Sequence, residues 1–157
     1  MKKVSIVVVS MLLFAVLLCP ATHAVVSADA IAEVISKAVP CDFGYLDNTE
    51  YQMQCFFSDL TFVDDSCIMV CSDSTNFNEF GVFHVKNKQD AGLCEKSLKK
   101  YLDLSCARFM NGVVYDIEEY PKFKNAKVFI IDDYIIYTIL DVSQTEAAIK
   151  TAKAFLK

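Results

Sequence analysis

The sequence predicts an α+β domain in which three helices pack on an antiparallel four-stranded sheet, in the order αββαββα. Two observations predict this fold. Three segments repeat apolar residues at helical spacing, and two pairs of apolar, β-branched runs lie between them, each pair joined by a polar turn. The domain occupies residues 25–157, after an N-terminal leader over residues 1–24.

The first helix and the first strand pair are predicted from the early part of the domain. The helix ends before Pro40, and its apolar face comprises Ile31, Val34, Ile35 and Ala38. The strands, residues 67–71 and 80–85, are joined by a polar turn over residues 72–78. We therefore predict a hairpin after the first helix.

The second helix is predicted to start at Asn87, a residue type that often caps helices, and to stop near Gly112. Asp90 lies in its first turn, where the helix dipole favours a negative charge. Its apolar stripe comprises Cys94, Leu98, Tyr101, Leu102, Ser105 and Phe109.

The second hairpin joins residues 126–131 and 134–140 through Asp132 and Asp133, which is the two-residue spacing of a tight turn. These strands carry apolar side chains on both faces, whereas a sheet with one wet face would alternate apolar and polar residues. Either helices cover both faces, or the second face is an interface. We expect cover by helices.

The third helix is predicted from a capping box and a following apolar face. Ser143 and Glu146 have the spacing at which each satisfies a free backbone amide of the other. The apolar face comprises Ala148, Ile149, Ala152, Phe155 and Leu156. The two hairpin-helix units are thus a loose structural repeat.

Residues 1–24 have the pattern of a secretory signal peptide. Lys2 and Lys3 precede an apolar run over residues 4–18, and small residues follow Pro20. The run of about 15 residues is shorter than the roughly 20 that a bilayer span needs. We therefore expect a protein that is cleaved after Ala24 or Ala28 and exported, to the cell envelope or beyond it.

Cys19 leaves one alternative open, because bacterial lipoproteins carry their lipid on a cysteine at the end of the apolar run. Leu18 precedes Cys19 where a small residue is usual, so we favour a soluble secreted form over a lipidated one. In either form, contact with the membrane is made only through the signal peptide or the lipid anchor.

The net charge argues against two classes of partner. The chain has a net charge of −5, and removal of residues 1–24 takes away two lysines and no acid. Nucleic acids and anionic lipid surfaces both select clustered lysine and arginine. We therefore expect neither as a partner.

Two segments carry a family resemblance. Residues 78–86, NEFGVFHVK, resemble a strand written E-I-A-V-F-K, and residues 120–137, YPKFKNAKVFIIDDYIIY, resemble a tail written Y-x-P … N-A-x-V … G-x-Y-V. The chain is thereby similar to the bacterial domain-of-unknown-function family 4358, whose members are small secreted or lipid-anchored proteins. The resemblance covers roughly residues 30–156 and is most specific over 78–140.

This resemblance implies the fold and the export, and it carries over no catalytic residue, because none is established for the family. The sequence departs from the family pattern at two places. Asp132 and Asp133 replace the hairpin glycine, and the lipidation signal is degraded around Cys19.

Histidine and glycine are too scarce for several kinds of site. His84 is the sole histidine after the leader, which excludes a multi-histidine metal site, and four glycines do not build a phosphate-binding loop. His84 lies on a strand where the family often has lysine, so we interpret it as a strand-edge or surface residue rather than a catalytic base. We expect no catalytic residue, no metal and no cofactor.

Six cysteines follow the leader, and an even number favours disulfides in an exported protein. They are Cys41, Cys55, Cys67, Cys71, Cys94 and Cys106. The two on the strand are roughly 13 Å apart and the two on the helix roughly 18 Å, whereas a disulfide needs Cα atoms within about 7 Å. The most economical scheme joins Cys41 to Cys55 and the strand pair to the helix pair. The alternative, in which all six are reduced and packed as small apolar groups, stays open.

Adjacent acids occur at Asp64-Asp65, Glu118-Glu119 and Asp132-Asp133. Neighbouring turn residues do not form the cleft that a glycosidase needs, and residues 73–79 lack the glycine and spacing of a calcium loop. We interpret these acids as solvated turns.

Three classes of function remain. We favour a non-catalytic module that binds an unidentified extracellular or envelope partner. Its candidate contacts are the aromatic residues Phe43, Tyr45, Tyr51, Phe56, Phe57 and Phe62. The alternatives are a self-associating structural protein, such as a homodimer through an uncovered sheet face, and, less favoured, a cysteine- or carboxylate-based enzyme.

Overall fold

The computed structural model describes residues 25–46, 60–108 and 118–157, so the predicted leader and Cys19 lie outside the described part. The helices are α1 (Ala28–Ala38), α2 (Ala91–Arg108), α3 (Tyr120–Lys124) and α4 (Val142–Phe155), and the strands are β1 (Phe43–Tyr45), β2 (Val63–Cys71), β3 (Glu79–Val85), β4 (Lys127–Ile131) and β5 (Tyr134–Ile139). Among the helices of these three segments, none has the length and apolar character needed to cross a bilayer.

The strands form one antiparallel sheet in the order β1-β2-β3-β5-β4. The α+β class and the antiparallel sheet are confirmed, but the prediction of four strands and three helices is wrong. β1 has three residues with Gly44 at its centre, which is too short to leave a periodic pattern. α3 has five residues and carries Pro121 in its first turn, a position that tolerates proline because the amide there has no helical partner.

Both predicted hairpins are confirmed. In the first, Cys67 of β2 lies opposite Val82 of β3, and in the second, Ile131 of β4 lies opposite Tyr134 of β5. Asp132 adopts a φ of 54°, the left-handed conformation that two-residue hairpin turns use. Aspartate tolerates this conformation better than most residues, so the chain makes the turn without a glycine.

Helices cover both faces of the sheet, as expected. α1 and α4 pack on one face, where the buried residues include Ile31, Ile35, Met69, Phe80, Val82, Ile136, Ala148 and Ile149. α2 packs on the opposite face, where they include Ile68, Phe83, Val85, Cys94, Leu98, Ile135, Tyr137 and Ile139. Helices of the same chain therefore account for the apolar residues on both faces of the sheet.

The start of α4 differs from the prediction. Its N-cap is Asp141, and Oε1 of Gln144 accepts a hydrogen bond from the Asp141 backbone amide at 3.2 Å. The capping box predicted for Ser143 and Glu146 is therefore wrong by two positions. Phe155, predicted on the apolar face, is 45% exposed because it ends the helix beyond the sheet contact.

The start of α2 also differs. Asn87 lies before a short 3-10 turn, Lys88–Asp90, and its side chain does not cap that turn, while α2 itself begins at Ala91. The predicted stripe is confirmed at its centre, since Cys94, Leu98 and Leu102 are buried. The predicted end of this helix, Phe109 and Gly112, lies outside the described residues.

Candidate functional site

One disulfide is present in the described part, between Cys41 and Cys71, whose Cα atoms are 6.2 Å apart. It follows from the pairing of β1 with β2, because Phe43 lies opposite Cys71 and brings the preceding turn beside it. The expected scheme, with Cys41 joined to Cys55 and Cys71 joined to α2, is therefore wrong. No sequence pattern marked β1, so the proximity of Cys41 and Cys71 was not predicted.

The other described cysteines, Cys67, Cys94 and Cys106, are free thiols, and Cys55 lies outside the described residues. Burial raises the pKa of Cys67 to about 12, with a contribution from nearby Asp29, and burial alone raises the pKa of Cys94 to about 12. Such thiols stay protonated at neutral pH, whereas a nucleophile needs the thiolate. These two cysteines are apolar packing residues.

His84 is buried in the middle of the sheet. It is 7% exposed, its Nδ1 lies 2.6 Å from Oδ1 of Asp64, and its ring packs on Tyr134 with centroids 4.8 Å apart. The interpretation of His84 as a strand-edge or surface residue is wrong, because β3 is the central strand, paired with β2 and β5. Its contacts fix the position of the imidazole.

The predicted acidic pairs have different surroundings. Asp132 lies in the β4–β5 turn, 3.1 Å from Nζ of Lys88, and fits the expected solvated turn. Asp64 and Asp65 instead belong to β2, where Asp65 accepts a hydrogen bond from the Ala28 amide at 2.7 Å. Within the described residues, no three His, Cys, Asp or Glu side chains are grouped so that they could hold a metal ion.

In the third acidic pair, Glu118-Glu119, Glu119 forms a buried ion pair with Lys122. Nζ of Lys122 lies 2.7 Å from the Glu119 carboxylate, and the two side chains are 7% and 14% exposed. The same carboxylate accepts a hydrogen bond from the Phe77 amide at 2.8 Å, and Nζ of Lys122 donates to Oδ1 of Asn76 at 3.0 Å. The pair therefore fastens α3 to the loop before β3, and the prediction of a solvated turn is wrong for Glu119.

A second polar cluster links α2 to the sheet. Oε1 of Glu79, at the start of β3, accepts hydrogen bonds from the hydroxyls of Tyr101 and Tyr137, each at 2.6 Å. Burial raises the pKa of Glu79, against the effect of the two hydrogen bonds, and raises the pKa of both tyrosines well above their usual range. The partners lie 22 and 58 residues from Glu79, so no local sequence pattern marks the cluster.

The aromatic candidates are partly placed by the structure. Phe43 packs edge-on against Phe80 with ring centroids 5.1 Å apart, and Phe62 is half-buried against the α2 face. Tyr45 is 51% exposed. Because Phe43 and Phe62 pack on opposite faces of the sheet, the described aromatics do not form a common surface. Tyr51, Phe56 and Phe57 lie outside the described residues.

A groove of about 600 Å³ lies between α4 and β4. Its floor is apolar, with Phe129 from the strand and Ile149 from the helix, and Val142, 53% exposed, lies at one end. The groove is also lined by four lysines, Lys127, Lys150, Lys153 and Lys157. We call this surface the α4–β4 groove.

The charge of the α4–β4 groove is opposite to that of the whole chain. Four lysines and a single acid, Glu146, line the groove, whereas the chain has a net charge of −5. The signal in the sequence was the spacing of Lys150 and Lys153, which places them on one side of α4, with Lys157 just beyond the end of the helix. The net charge of the whole chain does not reveal this local excess of lysines.

A second cavity of about 500 Å³ lies beside the β4–β5 turn. It is lined by His84, Tyr134, both aspartates of the turn, the end of α4 and the first described residues, Val25 and Val26. Lys157 lines both this cavity and the α4–β4 groove. In this mixed lining, His84 is paired through Nδ1 with Asp64.

Comparison with known proteins adds the family. Searches of curated proteins and of solved structures returned no significant match. The family described as a domain of unknown function, DUF4358, matches residues 59–140. This match extends from the residue before the described segment 60–108 to the residue after β5, and it contains the two segments that carried the resemblance. Since it covers more than half of the chain, the chain belongs to the DUF4358 family.

Proposed function

We propose that this protein is an exported, non-catalytic binding module that takes an anionic, partly apolar partner in the α4–β4 groove. The observation that carries the proposal is the set of four lysines around an apolar floor. The volume of about 600 Å³ lies within the range of known ligand sites, which are mostly apolar with a few charged groups.

The lysines support an anionic partner. Lys127, Lys150 and Lys153 are exposed, and Lys150 and Lys153 have no carboxylate partner among the described ion pairs. A concave surface lined by one sign of charge concentrates ligands of the opposite sign. Their long stems also extend the apolar floor while the ammonium groups remain in water.

Two features support a role without catalysis. The thiols of Cys67 and Cys94 are held in their protonated form by burial. The carboxylate of Glu79 is tied to two tyrosine hydroxyls, and that of Glu119 to Lys122. Each group serves the packing of the fold.

Export is supported by the leader pattern of residues 1–24 and by the Cys41–Cys71 disulfide. Disulfides persist in oxidising compartments and are rare in the cytosol. The mass of the protein recovered from the culture medium and from the envelope of its producing cells tests this part of the proposal. A chain recovered only from the cytosol with residues 1–24 intact would contradict it.

Binding in the α4–β4 groove is tested by calorimetric titration with two anionic probes. One is dodecanoate, and the other is an acetylated, amidated octapeptide in which glutamate and valine alternate. We expect Lys150→Glu/Lys153→Glu to weaken binding by at least about tenfold, since each attraction becomes a repulsion.

The matched control is Lys96→Glu/Lys100→Glu, which changes the net charge equally on exposed positions of α2, away from the groove. Equal weakening by both double variants would show a nonspecific charge effect and overturn the proposed site. Failure of both probes to bind the unmodified protein would overturn the proposed function.

A further inference from the structure

Among the described strands, β4 is an edge strand of the sheet. It lies at the end of the strand order and pairs with β5 on one side, and no strand of the described segments pairs with its other side. An unpaired edge presents a row of backbone amides and carbonyls that another extended segment can bind.

The sequence of β4 does not protect this edge. Four of its five residues are apolar, namely Val128, Phe129, Ile130 and Ile131, and Ile130 is 45% exposed. Charged, bulged or covered edges resist pairing, whereas an exposed apolar edge is open to pairing with another extended segment. Lys127, at the start of the strand, is its single charged residue.

β4 lies at the margin of the helix layer formed by α1 and α4. The α4–β4 groove opens over the strand, with Lys127 and Phe129 in its lining. An extended segment paired with β4 would lie beside this groove, and alternate side chains of that segment would point toward the groove lysines.

The charge of the groove lysines argues against a second copy of this chain as the partner of β4. Antiparallel pairing of two β4 strands about a twofold axis would place both α4 helices on the same face of the joined sheet. The two sets of Lys127, Lys150 and Lys153 would then face each other and repel. An acidic segment would instead meet complementary charge on that face.

We propose that the α4–β4 groove binds an extended, acidic segment of a partner protein, which adds to β4 as a sixth strand. Its alternate side chains would be carboxylates directed toward the lysines of the groove and apolar groups directed toward Ile130. This inference rests on the proposed function and deepens it, because it names the partner as a peptide strand and the backbone of β4 as part of the site. Such pairing gives affinity through main-chain hydrogen bonds and specificity through alternate side chains.

N-methylation of the Glu-Val octapeptide tests the strand pairing directly. Two derivatives are compared with the unmodified peptide, one methylated on all odd-numbered amides and the other on all even-numbered amides. A peptide added to one edge bonds through one set of amides only, since alternate amides of a strand point to opposite sides. We expect one derivative to lose binding by at least about tenfold and the other to keep it.

Equal binding by the unmodified peptide and both derivatives would overturn the strand pairing while leaving an anion-binding groove. Binding of dodecanoate without binding of the peptide would likewise overturn the peptide partner and retain the proposed function. If neither probe binds, both proposals fail.

A protein variant separates the apolar contact from the charges. Ile130→Glu keeps a side chain at an already exposed position and adds like charge opposite the peptide. We expect this variant to weaken binding of the octapeptide by at least about threefold and to leave the affinity of the groove for dodecanoate unchanged. An unchanged peptide affinity would contradict the predicted position of the sixth strand, and unfolding curves of the variant confirm that it is folded.

Discussion

The ring of Tyr137 lies directly against Gly81 of the neighbouring strand. A Cβ atom at Gly81 would come within 2.3 Å of Cε1 of Tyr137 and within 2.9 Å of Cε2 of Phe83. Both rings are fully buried, so neither can move into solvent to make room. The glycine is therefore required by close packing.

Gly81→Ala is expected to lower the free energy of unfolding by about 1–3 kcal/mol, the usual cost of overpacking a core. Denaturant unfolding measures the loss. The matched control is Gly92→Ala, because a Cβ at Gly92 on α2 has no neighbour within 4 Å. Within a helix this control should be neutral or stabilising. Equal stability of Gly81→Ala and the unmodified protein would contradict the close contact.

The Glu79 cluster predicts a pH dependence of stability. Burial raises the folded-state pKa of Glu79 above the usual glutamate value of 4.5. In the pH range just above 4.5 the folded state therefore holds a proton that the unfolded state has released, and stability falls as the pH rises through that range. Glu79→Gln removes this titration and should flatten the profile of unfolding free energy against pH.

The control for this prediction is Glu33→Gln, which removes an exposed carboxylate whose Lys37 contact spans 3.9 Å. This variant should keep the profile of the unmodified protein, because exposed ion pairs contribute little. A profile that Glu79→Gln leaves unaltered would show that the carboxylate titrates alike in both states.

The Glu119–Lys122 pair predicts that a single substitution lowers the free energy of unfolding more than the double substitution does. Lys122→Met leaves the buried Glu119 carboxylate without its counterion and should cost about 3–5 kcal/mol of unfolding free energy. The double variant Glu119→Gln/Lys122→Met leaves no buried charge and should cost less, although the Phe77 amide keeps a weaker acceptor. Chemical denaturation of both variants checks the order. A double variant less stable than the single would contradict it.

The Cys41–Cys71 disulfide predicts both a mass and a stability. Its partners are separated by 30 residues, and in the chain-entropy account a loop of that length contributes about 3–4 kcal/mol by restricting the unfolded chain. Cys41→Ser/Cys71→Ser should lose about that amount in denaturant unfolding.

Peptide mapping of the unreduced protein should recover Cys41 and Cys71 in one linked fragment, with Cys67 and Cys94 as alkylated thiols after unfolding. Cys67→Ala is the matched control for mapping, because it removes a free thiol from the same strand and should leave the link in place. A fragment that joins Cys41 to Cys55 would overturn the assignment.

The sequence predicted the elements whose patterns are local and long enough to repeat. α1, the two hairpins and the centre of α2 follow from apolar spacing, and the cover of both sheet faces follows from the apolar runs of β4 and β5. β1 and α3 were missed because three and five residues carry no period. The burial of His84 was missed because strand order, not strand sequence, places β3 at the centre.

The α4–β4 groove also depends on contacts between residues that are distant in the sequence. Lys150 and Lys153 of the α4–β4 groove have a helical spacing in the sequence, but their significance depends on β4 lying alongside α4. That neighbourhood is set by the strand order, in which β5 pairs with β3 and leaves β4 at the margin. The clusters of Glu79 and Glu119 likewise join residues that only the tertiary fold brings together.

The Cys41–Cys71 bond also has a mechanical consequence. It closes a covalent ring that contains β1 and β2, so tension applied to the two ends of the chain passes through the sulfur atoms and bypasses the backbone between them. A stretched molecule would keep roughly 100 Å of contour length hidden until the bond is reduced, at about 3.3–3.6 Å for each residue of the ring. Single-molecule extension with and without a reductant would register that hidden length as one discrete step.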